Sequence, residues 1–61
     1  MKYRVYEVNL VDEAMLQCVF EGNEEGYQKA KQMRTLLYNL QEKNAEEGIQ
    51  REMMRYIIIC D

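Results

Sequence analysis

The chain has 61 residues, 48% hydrophobic and 31% charged, with 11 acidic against 8 basic side chains and a net charge of −3. So short a chain makes one domain, 1–61, and buries only about 60% of the surface its unfolded form exposes, so it needs a disulfide framework, a metal or a partner chain. Two cysteines and no histidine exclude the first and leave zinc without its usual ligands, which points to a second copy.

Residues 2–11, KYRVYEVNLV, are rich in β-branched and aromatic side chains and read as a strand. Alternation puts Tyr6, Val8 and Leu10 on one face and Tyr3, Val5, Glu7 and Asn9 on the other. Asp12, Glu13 and Ala14 then mark a turn. A second strand over Met15–Glu21 follows, with Leu16, Cys18 and Phe20 on one face. Pairing Leu10 with Leu16, Val8 with Cys18 and Tyr6 with Phe20 keeps the apolar sets together.

From Asn23 to about Asn44 the period changes to that of a helix. Ala30, Met33, Leu36, Leu37 and Leu40 fall within an arc of about 120° that should cover the sheet. Asn23 is an N-cap, Gly22 lets the chain turn into it, and Glu24 and Glu25 suit the positive end of the helix dipole. Gly48 suits a left-handed stop, with Ile49 placed to fold back on the last turn. Arg51–Cys60 is a third strand whose run Tyr56 to Ile59 is too continuous to alternate.

The order ββαβ gives an α+β domain. Its three-stranded antiparallel sheet has strand order 2-1-3 and the amphipathic helix packs on one face. Setting Glu7 opposite Arg55 also pairs Val5 with Ile57 and Tyr3 with Ile59. The face left bare would then carry Tyr3, Val5, Glu7, Val19, Met53, Arg55, Ile57 and Ile59. An apolar patch of several hundred Å² exceeds what monomers usually expose, so these residues are the expected interface of a sheet-mediated homodimer.

Chemistry is sparse. With no histidine, no serine and one threonine, Thr35, we expect no enzyme, no cofactor and no metal site. Cys18 and Cys60 should lie on opposite edge strands, too far apart for a disulfide. Tyr27, Lys31, Arg34 and Tyr38 form a flank along the helix that reads either as the rim of the core or as a recognition ridge. Asp12, Glu13, Glu42, Glu46 and Glu47 gather at one end of the domain, as a solubilising surface or as an acidic edge that docks on a basic partner.

The element order and acidic balance are similar to the small dimeric uracil-DNA glycosylase inhibitors encoded by phages. That resemblance implies that this size and plan can act as a stoichiometric inhibitor, and it carries no residue over. The expected function is a non-enzymatic, homodimeric modulator of an unidentified host protein, of phage or mobile-element origin as its size suggests. No apolar run approaches the roughly 20 residues of a membrane span, so the expected setting is the cytoplasm. The alternative is a nucleic-acid-binding regulator using Lys2, Arg4, Lys29, Lys31, Arg34, Arg51 and Arg55, against which the net acidity weighs.

Overall fold

A computed structural model describes residues 1–48 and 53–61 of the chain. It contains β1 (Lys2–Val8), β2 (Ala14–Glu21), α1 (Glu24–Glu46) and β3 (Arg55–Cys60). The sheet is antiparallel throughout, in order β2-β1-β3, as the pattern of the sequence predicts. The expected fold of Ile49 against the helix and the first two residues of the expected third strand, 51 and 52, fall outside the described residues; Met53 and Met54, also expected in that strand, lie ahead of it, since β3 begins at Arg55.

The hairpin is organised by Asn9. Its side-chain oxygen accepts from the N–H groups of Val11 (3.0 Å) and Glu13 (2.9 Å), and its own N–H donates to the Glu13 carbonyl (3.1 Å). Such an Asx turn offers the backbone an alternative to the ladder, so β1 ends at Val8 and not at Val11. Asp12 turns the loop with φ 62°, a conformation aspartate tolerates better than most residues. The register moves accordingly: Tyr3 lies opposite Phe20, Val5 opposite Cys18 and Tyr6 opposite Leu16, with a bulge between Val5 and Tyr6. The expected pairs Val8–Cys18 and Tyr6–Phe20 are not formed.

On the other edge, Glu7 faces Tyr56, Val5 faces Ile58 and Tyr6 faces Ile57. Glu7 is therefore one residue away from the expected partnership with Arg55, and a slip of one residue exchanges the faces. Tyr3 stacks against Tyr27 of the helix at 5.1 Å, Tyr56 meets Tyr38 edge-on at 5.0 Å, and the Tyr56 hydroxyl donates to Glu7 at 3.0 Å. The helix side of the sheet thus bears Tyr3, Val5, Glu7, Tyr56 and Ile58. The sequence reading had put Tyr3, Val5 and Glu7 on the bare side.

Asn23 caps the helix as expected, its side chain accepting from Gly26 N–H at 2.7 Å, and Gly48 ends it with φ 78°. Gly26 and Ala30 are its buried residues. Leu36 and Leu40, expected beneath it, are 60% and 53% exposed. The helix is turned toward β3: the Gln41 side chain accepts from Met54 N–H (2.8 Å) and donates to Met54 carbonyl (3.2 Å), while the Tyr38 hydroxyl accepts from Tyr56 N–H (3.0 Å). Among the described residues, Val5, Val8, Ala30 and Tyr56 are the buried hydrophobic ones. The Cα extents are 38 × 22 × 10 Å, and among the described residues one helix lies on one sheet, with no second helix or sheet over its other face.

Candidate interaction surface

The second face of the sheet is built by the even-numbered residues of β1 and their cross-strand neighbours. Arg4 lies between Val19 and Ile59, Tyr6 between Leu16 and Ile57, and Val8 between Ala14 and Arg55. Its middle rows are apolar apart from Arg4, with Tyr6, Leu16, Val19, Ile57 and Ile59 around that one guanidinium. Its ends are ionic: Lys2 pairs with Glu21 at 2.8 Å, Arg4 with Asp61 at 3.0 Å, and Arg55 with Asp12 at 2.8 Å. The Lys2 ammonium holds the Glu21 carboxyl below its ordinary range, and Asp61 pushes the Arg4 guanidinium higher still.

Of the residues expected at an interface, Val19, Ile57 and Ile59 lie on this face, with Arg55 at its end. Met53 is exposed just ahead of β3, and Tyr3, Val5 and Glu7 turn to the helix. Tyr6 and Leu16 belong to the open face. Alternation assigns Tyr6 to the helix side and groups Leu16 with Cys18 and Phe20, which the bulge separates from it: Cys18 and Phe20 lie opposite Val5 and Tyr3 on the helix side.

The hairpin loop and the end of α1 meet at the same end of the sheet, because Asp12 bridges to Arg55 and Gln41 holds Met54. That end carries Asp12, Glu13, Glu42, Glu46 and Glu47. Asp12 is engaged by Arg55, and Glu13 accepts from the Asn9 side chain at 3.2 Å. The flank of Tyr27 and Tyr38 is the rim of the core, and Lys31 lies over the Tyr27 ring at 4.8 Å. Among the basic residues considered for phosphate contact, Lys2, Arg4, Lys29 and Arg55 each pair with a carboxylate of the same chain. Arg51 lies outside the described residues.

Cys18 and Cys60 are both free thiols, standing opposite Val5 and Tyr3 on the two edge strands. β1 separates them, so roughly two strand spacings of about 4.8 Å keep them from bridging. Burial raises the Cys18 thiol above its ordinary range, which makes it a poor nucleophile. Among the described residues no helix is long and apolar enough to cross a membrane. In comparison with known proteins, no family model, no curated sequence and no solved structure matches this chain.

Proposed function

We propose that this is a non-enzymatic, cytoplasmic binding protein that works as a homodimer, two copies meeting through the open sheet face, and modulates a partner protein by occupying it, as small inhibitors of phages and mobile elements do. The observation that carries the reading is the face itself: Tyr6, Leu16, Val19, Ile57 and Ile59 surround one guanidinium, Arg4, and the charges of Lys2, Arg4 and Arg55 are each neutralised within the chain. Such a face presents no net sign, so a copy of itself meets it without like-charge repulsion.

Size supports the same reading. Three strands about 4.8 Å apart and about 20 Å long give a footprint of roughly 300 Å² before side-chain relief. Relief raises this to about 500–600 Å² per copy, at the lower end of specific interfaces. The acidic end, chiefly Glu42, Glu46 and Glu47, remains clear of that face and suits a basic partner. The nucleic-acid alternative has less support, because four of its seven basic residues are already paired with carboxylates.

Sedimentation equilibrium at micromolar concentration tests the dimer. The parent should sediment at twice the chain mass, and Ile57→Glu, which puts a charge into the middle of the face, should sediment as a single chain or unfold. A folded parent of single-chain mass overturns the reading, as does an Ile57→Glu variant that still sediments like a dimeric parent.

A further inference from the structure

The positive charges of the chain are placed unevenly. Lys2, Arg4, Lys29 and Arg55 each pair with a carboxylate of the same chain, and Lys43 stands in the last turn of α1 beside Glu42, Glu46 and Glu47. Lys31 and Arg34 remain. Neither has a carboxylate partner among the described residues, although acidic side chains outnumber basic ones in the chain. From Gly26 to Gln41 the helix carries no acidic side chain at all. Lys31 and Arg34 are neighbours on one flank of it, with Cβ atoms about 5–6 Å apart, so both reach a single anionic group.

Packing fixes that flank at both ends. Tyr27 stacks on Tyr3 of β1 at 5.1 Å, and Tyr38 lies edge-on to Tyr56 at 5.0 Å while its hydroxyl accepts from Tyr56 N–H. At about 100° per residue, Tyr27, Lys31, Arg34 and Tyr38 fall within an arc of about 60°, so the stripe that the two rings hold includes both cations. Lys31 is itself set over the Tyr27 ring at 4.8 Å. Lys31 and Arg34 are half-buried, and among the described residues no buried side-chain nitrogen lacks a partner. Their stems are therefore packed along the flank and their charged heads reach water. Cations placed in advance between tyrosine rings lose little further freedom on binding.

From this arrangement we infer that the Tyr27–Tyr38 flank of α1 receives an acidic segment of a partner protein, its carboxylates on Lys31 and Arg34 and its neighbouring apolar side chains against the tyrosine rings. The guanidinium fork of Arg34 matches a carboxylate bidentately, and the Lys31 ammonium adds charge at the same place. A nucleic-acid backbone suits the flank less well. Glu24 and Glu42 stand on the same side of the helix, roughly 10–12 Å along its axis before Lys31 and beyond Arg34, so successive phosphates would run onto carboxylates. A second copy suits it less well too. Two such flanks related by a two-fold axis set cation against cation, and a flank that takes the acidic end of the next copy makes a head-to-tail contact that does not close. The flank lies on the helix and not on the open sheet face, so this inference stands or falls apart from the dimer's sedimentation.

The probe is a capped peptide of about eight residues with adjacent glutamates between tyrosine and leucine, compared with the same peptide carrying glutamine in their place. Titrated to millimolar concentration at low salt into the full chain, the acidic peptide should shift the Arg34 side-chain Nε–H resonance and the amides of Lys31 to Tyr38, and saturate. The glutamine peptide should bind about tenfold more weakly, and Arg34→Gln and Lys31→Gln, checked as folded by circular dichroism, should each weaken the acidic peptide by about five- to tenfold. Lys43→Gln should leave its binding within about twofold. Absence of any shift overturns the inference. So do equal binding of the glutamine peptide, unchanged binding by either folded flank variant, or shifts centred on Lys43 and Arg55. A single-stranded oligonucleotide of about twelve nucleotides that binds the flank more tightly than the acidic peptide assigns it to nucleic acid and overturns the inference. Arg34 shifts produced by raising the protein concentration, with the peptide then unable to bind, assign the flank to a second copy and also overturn it.

Discussion

Gly26 has a role that no count of helix propensity reveals. It is buried in the first turns of α1, and a methyl group built on it would overlap the carbonyl oxygen of Glu21 at the end of β2. The helix can lie this close to the strand because there is no side chain between them. In an exposed helix, alanine in place of glycine stabilises by about 1 kcal/mol. At position 26 the overlap with backbone should reverse the sign, so Gly26→Ala should lower stability by about 1–3 kcal/mol, the usual cost of overpacking. Urea unfolding followed by circular dichroism measures it. A variant as stable as the parent would mean that the helix can lift from the strand without loss.

Among the elements, the helix decides which apolar residues are used. The sequence period gathers Ala30, Met33, Leu36, Leu37 and Leu40 on one arc, yet Gln41 and Tyr38 bond to the main chain of Met54 and Tyr56. Each such bond contributes about 1 kcal/mol, and together they roll α1 toward β3, so that Leu36 and Leu40 leave the contact. Two substitutions separate the alternatives. Ala30, with 0% exposure, has no room to grow, so Ala30→Leu should cost about 1–3 kcal/mol in the same unfolding experiment. Leu36→Asp with Leu40→Asp should stay within about 0.5 kcal/mol per site, as exposed positions do. A collapse of the double variant would put both leucines back in the core.

Element type was legible because β-branched runs, the Asn23 cap and the Gly48 stop are local signals. Strand register was not, for physical reasons found in particular residues. β1 is apolar on both faces, so alternation separates Tyr3 and Val5 from Tyr6 and Val8 without saying which set the helix covers. Asn9, read as a strand residue, instead gathers the loop around its side chain, and the bulge adds an unpaired residue to β2. Each event moves the register, and the two together moved Val8 away from Cys18. The expected bare face inherited the error: Val19, Ile57 and Ile59 do lie on the open face, Tyr3, Val5 and Glu7 lie on the helix side, and Tyr6 and Leu16 are on the open face as well.

For the whole molecule the deciding quantity is area. A monomer of 7.4 kDa is expected to expose about 4200 Å², and this chain exposes 4617 Å². The excess of roughly 400 Å², of which about 55–60% is ordinarily apolar, corresponds at about 25 cal/mol per Å² of apolar area to a gross term near 6 kcal/mol per chain that a lone copy forgoes. Docking and ordering remove much of it, but a chain with so few buried residues has little other stability on which to draw. If two copies supply it, the folded state is linked to concentration by mass action. A hundredfold increase in protein then adds about 2.7 kcal/mol per dimer, about half of that per chain, which for a domain of this size raises the melting temperature by roughly 5–10 °C. Calorimetry or circular dichroism across the micromolar range should record that rise for the parent, whereas Ile57→Glu should melt at one temperature throughout or show no transition. A parent whose melting temperature does not move with concentration is stabilised by its own chain alone, and the open face must then serve something other than a second copy.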